Sequence, residues 1–426
     1  LKVDYIEETP VRKALTFEVE PDTVQSEIDR RARELARRVR LPGFRPGKVP
    51  LEVVKQRFHG EILGEAAEAI VNKVVFEELE GRGLRPLAAP KVEDVKLEEG
   101  QAMTFRAVFE TLPLIELPDW KGLRVTARQA SVADEDVDKE IDRLREEAAR
   151  YDPVAEAERR TRQGDYVLVD LIWKPKDGGK GGRDDSALIE VGNSGNHPDM
   201  NKGLEDLAVG ETREIEVAWG EDAAPAVAGK TVRYSVTLKG IKQKIVPAAD
   251  DEFAKDLGEF GSLAELRDSV RTRLEAAAER RAERETKAAL VEALVAKADF
   301  EVPEALVERH MTARTENVAR GLAFQGIDPR RVGVDWREYR ESTREDSVKA
   351  ARADILLDEI ARREGIEVLD SELEAEVARL AERSGKAKEA LRAQMAKEGE
   401  LSALAARLRE EKTLDLLKAN ASIELT

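Results

Sequence analysis

The stretch LPGFRPGKVP, residues 41–50, sets two cations, Arg45 and Lys48, around a Pro-Gly pair, with the aromatic Phe44 beside them. Such a trio can neutralise phosphates or acidic side chains and stack or plug a ring into a small pocket. Two glycines and three prolines in ten residues forbid a helix, so a bent, stiff loop is predicted. A stiff loop loses little freedom when it binds. Residues 30–59 hold ten basic residues (Arg30, Arg31, Arg33, Arg37, Arg38, Arg40, Arg45, Lys48, Lys55, Arg57) against Glu34 and Glu52, a net of +8. The chain as a whole carries -17. Physiological salt screens charges beyond about 8 Å, so a partner feels the local patch rather than the total. Phosphate-rich RNA or an acidic protein surface suits it; a solvated charged face over a structural turn is the plainer alternative.

Other chemistries find little support. Between Gly43 and Gly47 stand three residues where a nucleotide-binding loop needs four, and Val49 occupies the place of the magnesium-binding Ser/Thr. Pro46 removes one backbone donor, so nucleotide binding is rejected. His59, His197 and His310 lie far apart and Cys is absent; no metal site, disulfide or cysteine nucleophile is expected, nor any cofactor. No apolar run approaches the roughly 18–20 residues that span a bilayer. The first ten residues, LKVDYIEETP, lack the apolar region of a signal peptide. A reducing cytoplasm is the expected setting.

The loop needs elements to hold it. Leu15, Phe17 and Val19 alternate within residues 11–20 as in a half-buried strand. Asp22 and Thr23 offer N-cap oxygens to a helix whose apolar face is Val24, Ile28, Ala32, Leu35 and Val39, running to residue 40. Arg30, Arg33, Arg37 and Arg40 line its other side. A second helical pattern runs from Leu51 to Leu79, with breaks near Gly60 and Gly64, and strands follow at 91–97 and 101–110. Residues 134–154 read as one amphipathic helix through Val137, Ile141, Leu144, Ala148 and Tyr151, a connecting arm. Period-two patterns then fill 164–244, and from Pro247 onward the pattern is helical almost throughout, in six or seven helices. The expected class is multidomain α+β: an α+β domain (1–114), a linker and arm (115–150), a β-rich domain (151–246) and an elongated all-α domain with arms (247–426).

GFRPGKVP resembles the signature loop of the trigger factor family of bacterial chaperones, GFRxGKxP, at Gly43, Phe44, Arg45, Gly47, Lys48 and Pro50. It also lies where that family has it, between two helices after an N-terminal strand. The resemblance covers the whole chain, and FEVPEALVE (300–308) is similar to a stretch of the family's last domain. It implies docking of the loop at the ribosomal tunnel exit, on a protein and large-subunit rRNA, and shielding of nascent and unfolded polypeptides. Arg30, Arg33, Arg37 and Arg40 would support the contact. Position 46, often basic in relatives, is Pro46 here, which should weaken docking modestly. A second copy of the chain, away from the ribosome, is a further candidate partner; a membrane and a nucleotide are not.

Residues 151–246 resemble FKBP-type prolyl isomerases in VLVDLIW, IEVG, KGLEDLAVGE and AGKTVRYSVTL. Such enzymes lower a rotation barrier of about 18–20 kcal/mol with a dry aromatic pocket. Here Leu171 stands for a Tyr/Phe, Ala187 for a Phe, Met200 for a Phe/Trp and Ala223 for a Tyr, while Asn196 and His197 replace an aliphatic pair. Tyr234 keeps an aromatic. Trp219 and Tyr234 read as ordinary core aromatics, and weak or no isomerase activity is expected. Leu263, Leu266, Val270 and Leu274, and Leu290, Leu294 and Val295, form helical stripes of the kind that are usually core. The resemblance would add dispersed apolar patches that bind unfolded chains weakly, and no ATP motif occurs. A true prolyl isomerase with substrate-positioning helices, a large-subunit RNA-binding factor and a periplasmic chaperone-isomerase are the competing readings.

Overall fold

The computed structural model describes all residues except 43, 45–48, 155–158, 177, 179–180 and 221–226. Helix makes up 50% of the chain and strand 20%, a multidomain α+β protein with a helical C-terminal region, as its sequence predicts. The chain falls into two compact units, one of residues 1–129 with 283–426, the other of residues 130–282.

In the first unit the chain opens with β1 (Lys2–Glu7), β2 (Arg12–Val19), α1 (Pro21–Arg38), α2 (Leu51–Arg57), α3 (His59–Gly81), β3 (Lys91–Lys96), β4 (Met103–Glu110) and β5 (Arg124–Ala127). The first four strands form an antiparallel sheet in the order β1-β2-β4-β3. Register puts Leu15 opposite Ala107, Phe17 opposite Phe105 and Val19 opposite Met103. A strand's side chains alternate between faces, so these six share one face, and all are buried. Phe17 and Phe105 stack with centroids 4.7 Å apart. Val24, Ile28 and Ala32 of α1 and Ile62, Ala66 and Ile70 of α3 cover that face.

Two helix ends differ from the sequence reading. α1 starts at Pro21, with Glu20 as its N-cap and no side-chain cap bond, so Asp22 and Thr23 lie inside its first turn. Proline suits that first position because its missing N–H would have no helical partner. Its end comes at Arg38, since Val39 is extended (φ -70°, ψ 141°), and Arg40 leaves the helical face. The 51–79 pattern breaks at Phe58 (φ -118°, ψ 29°), close to Gly60 as expected, but not near Gly64, which lies inside α3.

The second unit contains α4 (Asp134–Glu147), β6 (Arg150–Pro153), β7 (Tyr166–Pro175), β8 (Gly182–Glu190), α5 (Pro198–Leu204), β9 (Thr212–Ala218), β10 (Thr231–Ile245), α6 (Asp251–Asp256) and the first part of α7 (Leu263–Ala296). β10 organises an antiparallel sheet: β7 lies along one edge, while β9 and then β6 share the other. β8 pairs with β7. The single helix expected over 134–154 therefore stops at Glu147. Tyr151 sits in β6, opposite Lys244, with its ring edge-on to Tyr166 at 4.7 Å. Strand pairing with β10 overrides the helical spacing there. α4 buries Val137 and Ile141 against Phe253, Ala254, Leu266 and Val270, so the supposed arm has a core of its own.

The remaining elements belong to the first unit: the rest of α7, α8 (Glu304–Phe324), α9 (Trp336–Ser342), α10 (Arg344–Arg363), α11 (Asp370–Ser384), α12 (Lys388–Glu398), α13 (Glu400–Ala419) and β11 (Ser422–Leu425). From Pro247 onward there are eight helices among the described residues, not six or seven, and one strand. β11 pairs in parallel with β5. Trp120 and Leu123 are buried with Leu290 and Leu294 of α7, Leu356 and Ile360 of α10 and Leu417 of α13. Both apolar stripes of α7 are thus core: Leu266 and Val270 in one unit, Leu290, Leu294 and Val295 in the other.

Candidate functional site

The signature loop is moored at both ends. Leu41 (8% exposed) and Val49 (7%) are buried in the core under the β1–β4 sheet. Between them Phe44 is 40% exposed, its N–H donating to the Leu41 carbonyl at 3.1 Å. Burying Leu41 and Val49 removes apolar surface from water at roughly 25 cal/mol per Å². That sets where the loop leaves the domain and returns. Pro50 is exposed and is the N-cap of α2. Gly43, Arg45, Pro46, Gly47 and Lys48 lie outside the described residues.

The basic face of α1 divides into two kinds of arginine. Arg30 is exposed but pairs with Glu27 at 2.6 Å, and Arg31 is drawn to Glu27 and Glu34 at 3.0 and 3.2 Å. Arg33, Arg37, Arg38 and Arg40 are exposed and make no ion pair among the described residues. Arg38 is the residue that helical spacing left out; its signal is its place in the last turn, where a cation also favours the helix dipole. Asp29 on the same helix accepts from Lys55 of α2 at 2.7 Å. This hydrogen-bonded pair holds the Asp29 carboxyl below its ordinary range and the Lys55 ammonium above its own. Both remain charged throughout the neutral range, and they tie together the two helices that flank the loop.

In the β-rich core, Leu171 and Ala187 are half-buried, while Met200 and Tyr234 are buried, all in one apolar cluster. Ala223 lies outside the described residues. Trp219 belongs with them: it is half-buried, its indole N–H donates to the Tyr234 hydroxyl at 3.2 Å, and the His197 ring meets it edge-on at 5.3 Å. Trp219 packs on this core, as its sequence reading has it, while its partners, 15 and 22 positions away, have no local signal. His197 also caps α5, its Nδ1 accepting the Asp199 N–H at 3.2 Å. Asn196 donates to the Glu190 carbonyl at 2.7 Å and to Asn201 at 2.9 Å. The two polar replacements thus hold the turn before α5.

A family model described as "Bacterial trigger factor protein (TF)" matches residues 1–144, and its C-terminal counterpart matches residues 262–419. The trigger factor of Anaeromyxobacter dehalogenans (strain 2CP-C) is 37% identical over 432 residues, covering 100% of both chains. That of Solibacter usitatus (strain Ellin6076) is 31% identical over 410 residues, 95% of this chain and 96% of the other. The chain belongs to the trigger factor family. A solved structure described as "Promiscuous Substrate Recognition in Folding and Assembly Activities of the Trigger Factor Chaperone" shares the fold, with a TM-score of 0.50 and 21% identity over 98% of this chain and 99% of that one. In trigger factor terms the signature loop and the α1 arginines lie within the N-terminal match, whereas the Trp219–Tyr234 cluster lies between the two matched segments. No group of three or more potential metal ligands occurs among the described residues, and none of their helices is long and apolar enough to cross a membrane.

Proposed function

We propose that this trigger factor is an ATP-independent chaperone of the cytoplasm that docks at the ribosomal tunnel exit and shields emerging polypeptides. One observation carries the docking half: Phe44 stands exposed between the buried anchors Leu41 and Val49, next in sequence to an α1 end rich in unpaired arginines. A moored aromatic with Arg45 and Lys48 as loop neighbours fits a phosphate-rich RNA surface with a protein pocket beside it. The four-block domain division of the sequence reading belongs to this proposal, with residues 1–114 as the docking domain and 247–426 as the client domain. Release would follow from weak affinity and from folding of the client, since no nucleotide motif is present to drive it.

The test is ribosome co-sedimentation of the native chain beside Phe44→Ala/Arg45→Ala/Lys48→Ala, with suppression of client aggregation measured on both. Losing two cations and a ring should weaken pelleting by about tenfold, while aggregation suppression persists. Equal pelleting of the two chains at several salt concentrations would remove the loop from the docking site.

The prolyl isomerase alternative has one observation in its favour, the joined rings of Trp219, Tyr234 and His197. Leu171, Ala187 and Met200 still leave that cluster short of aromatic walls that exclude water and favour the twisted imide. In a protease-coupled prolyl peptide assay the full chain should turn over far more slowly than an FKBP-type enzyme. Comparable rates would overturn this and make Trp219 a pocket wall.

A further inference from the structure

A groove of about 630 Å³ lies within the first unit, between the segment after β4 and helices α8 and α10. Leu112, Pro113, Leu114 and Ile115 form one side; Leu306 and Ile355 form the apolar part of the other. The carboxylates at its rim are all engaged, two of them by more than one partner. Arg309 reaches Asp354 at 3.3 Å, Asp354 also contacts His310 at 2.9 Å, and Glu359 holds both Arg362 and Arg363 at 2.7 Å. Asp358 is paired with Arg409 at 2.6 Å. The groove therefore offers an incoming group mainly apolar contact.

The segment itself is unusual. Pro113 and Pro118 fix their own φ and disfavour helical backbone at Leu112 and Leu117. Exposure alternates along it: Leu112 exposed, Pro113 buried, Leu114 fully exposed, Ile115 half-buried, Glu116 exposed. That is the period of an extended strand. It continues β4, whose last ladder bonds hand over to Thr111 N–H on the Val11 carbonyl and Leu87 N–H on the Glu110 carbonyl, both 2.9 Å. Beyond them, no hydrogen bond among the described residues takes up the backbone N–H of Leu112, Leu114, Ile115, Glu116 or Leu117. A segment outside any strand, with open donors, a bare leucine and an apolar groove alongside, is a template for another extended chain.

We propose that residues 112–117 capture an extended apolar segment of an unfolded polypeptide by backbone pairing, with alternate side chains entering the groove. The proposal rests on the chaperone reading and adds a site and a binding mode to it. Backbone hydrogen bonds are blind to sequence, which suits a binder of many chains.

The chain has no Cys, so Leu114→Cys supplies a single thiol in the full-length protein. The probe is a fluorescein-labelled peptide of alternating valine and leucine flanked by serines. Leu112→Asp/Leu114→Asp, at exposed positions that the fold does not need, should weaken its binding about tenfold or more. N-methylating alternate peptide nitrogens should weaken it comparably. A bromoacetyl group on the peptide should alkylate the Leu114→Cys thiol, and unlabelled peptide should protect it. Undiminished binding of the N-methylated peptide, or of the Asp variant, overturns the proposal. So does disulfide cross-linking of Leu114→Cys chains to one another without peptide, which would make the segment a contact between copies. If the native chain suppresses client aggregation while peptide affinity ignores every change, the groove fails alone. If the native chain suppresses no aggregation, the chaperone reading falls as well.

Discussion

With docking as proposed, replacing Arg33, Arg37, Arg38 and Arg40 together by glutamine should lower ribosome affinity about a hundredfold in low salt and reduce the slope of log affinity against log salt by about 3. Each cation held against single-stranded or duplex phosphate releases counterions worth roughly 0.7–0.9 of that slope. The four arginines are exposed and make no ion pair among the described residues, and only Arg33 acts on a nearby carboxylate, Asp29, which Lys55 already holds, so most of their charge is available to a partner. Arg30, engaged by Glu27 at 2.6 Å, is the internal control: Arg30→Gln alone should change the slope little. Glutamine keeps helix propensity close to that of arginine, and the buried face of α1 (Val24, Ile28, Ala32 and Ala36) is untouched. Removing Arg37 and Arg38 from the last turn costs about 0.3–1 kcal/mol of dipole interaction each, too little to unfold the domain. Co-sedimentation across a salt series reads both numbers. A quartet variant with lower affinity but an unchanged slope would mean that the arginines act on the fold and not on phosphates.

That division among the arginines shows where sequence reasoning runs out. Alternation in residues 15–19 and 103–109 was enough to place β2 and β4, because their buried face admits one register only; slipping by one residue would turn Phe17 and Phe105 to water. The interruption of helix between the two patterns was equally legible: α1 ends at Arg38 and α2 begins at Leu51. Partners remote in sequence were not. β11 is four residues, SIEL, with no pattern long enough to outweigh the helices before it, and its mate β5 lies 298 positions upstream. Tyr151 continued a helical stripe but was claimed by β10, because a ladder edge satisfies backbone groups that a helix end leaves open. Trp219 is core as read, but nothing local announces that His197 and Tyr234 converge on it. Arg30 and Arg38 could be ranked only once the carboxylates around them had positions.

Phe17→Ala should destabilise the β1–β4 sheet by about 3–5 kcal/mol, the usual cost of emptying a buried phenylalanine site. Phe17 is fully buried, lies directly opposite Phe105 and stacks on it at 4.7 Å, so the vacated space is walled by an aromatic that cannot collapse into it without leaving its own rotamer. Phe17→Leu fills most of that volume and should cost well under half as much. A chain of two compact units need not unfold in one step, so the loss is best read locally, by amide hydrogen exchange. Protection of β2 and β4 should fall about 10² to 10³-fold, while β10, in the other unit, keeps its own. α1 rests on this sheet through Val24, Ile28 and Ala32, and Leu41 and Val49 are anchored in the same core. Ribosome affinity should therefore stay near native while the sheet remains mostly folded and fall only when denaturant opens it, with the salt slope intact until then. A Phe17→Ala chain that lost the slope with its sheet still protected would show that the core tunes the loop's position and does more than carry it.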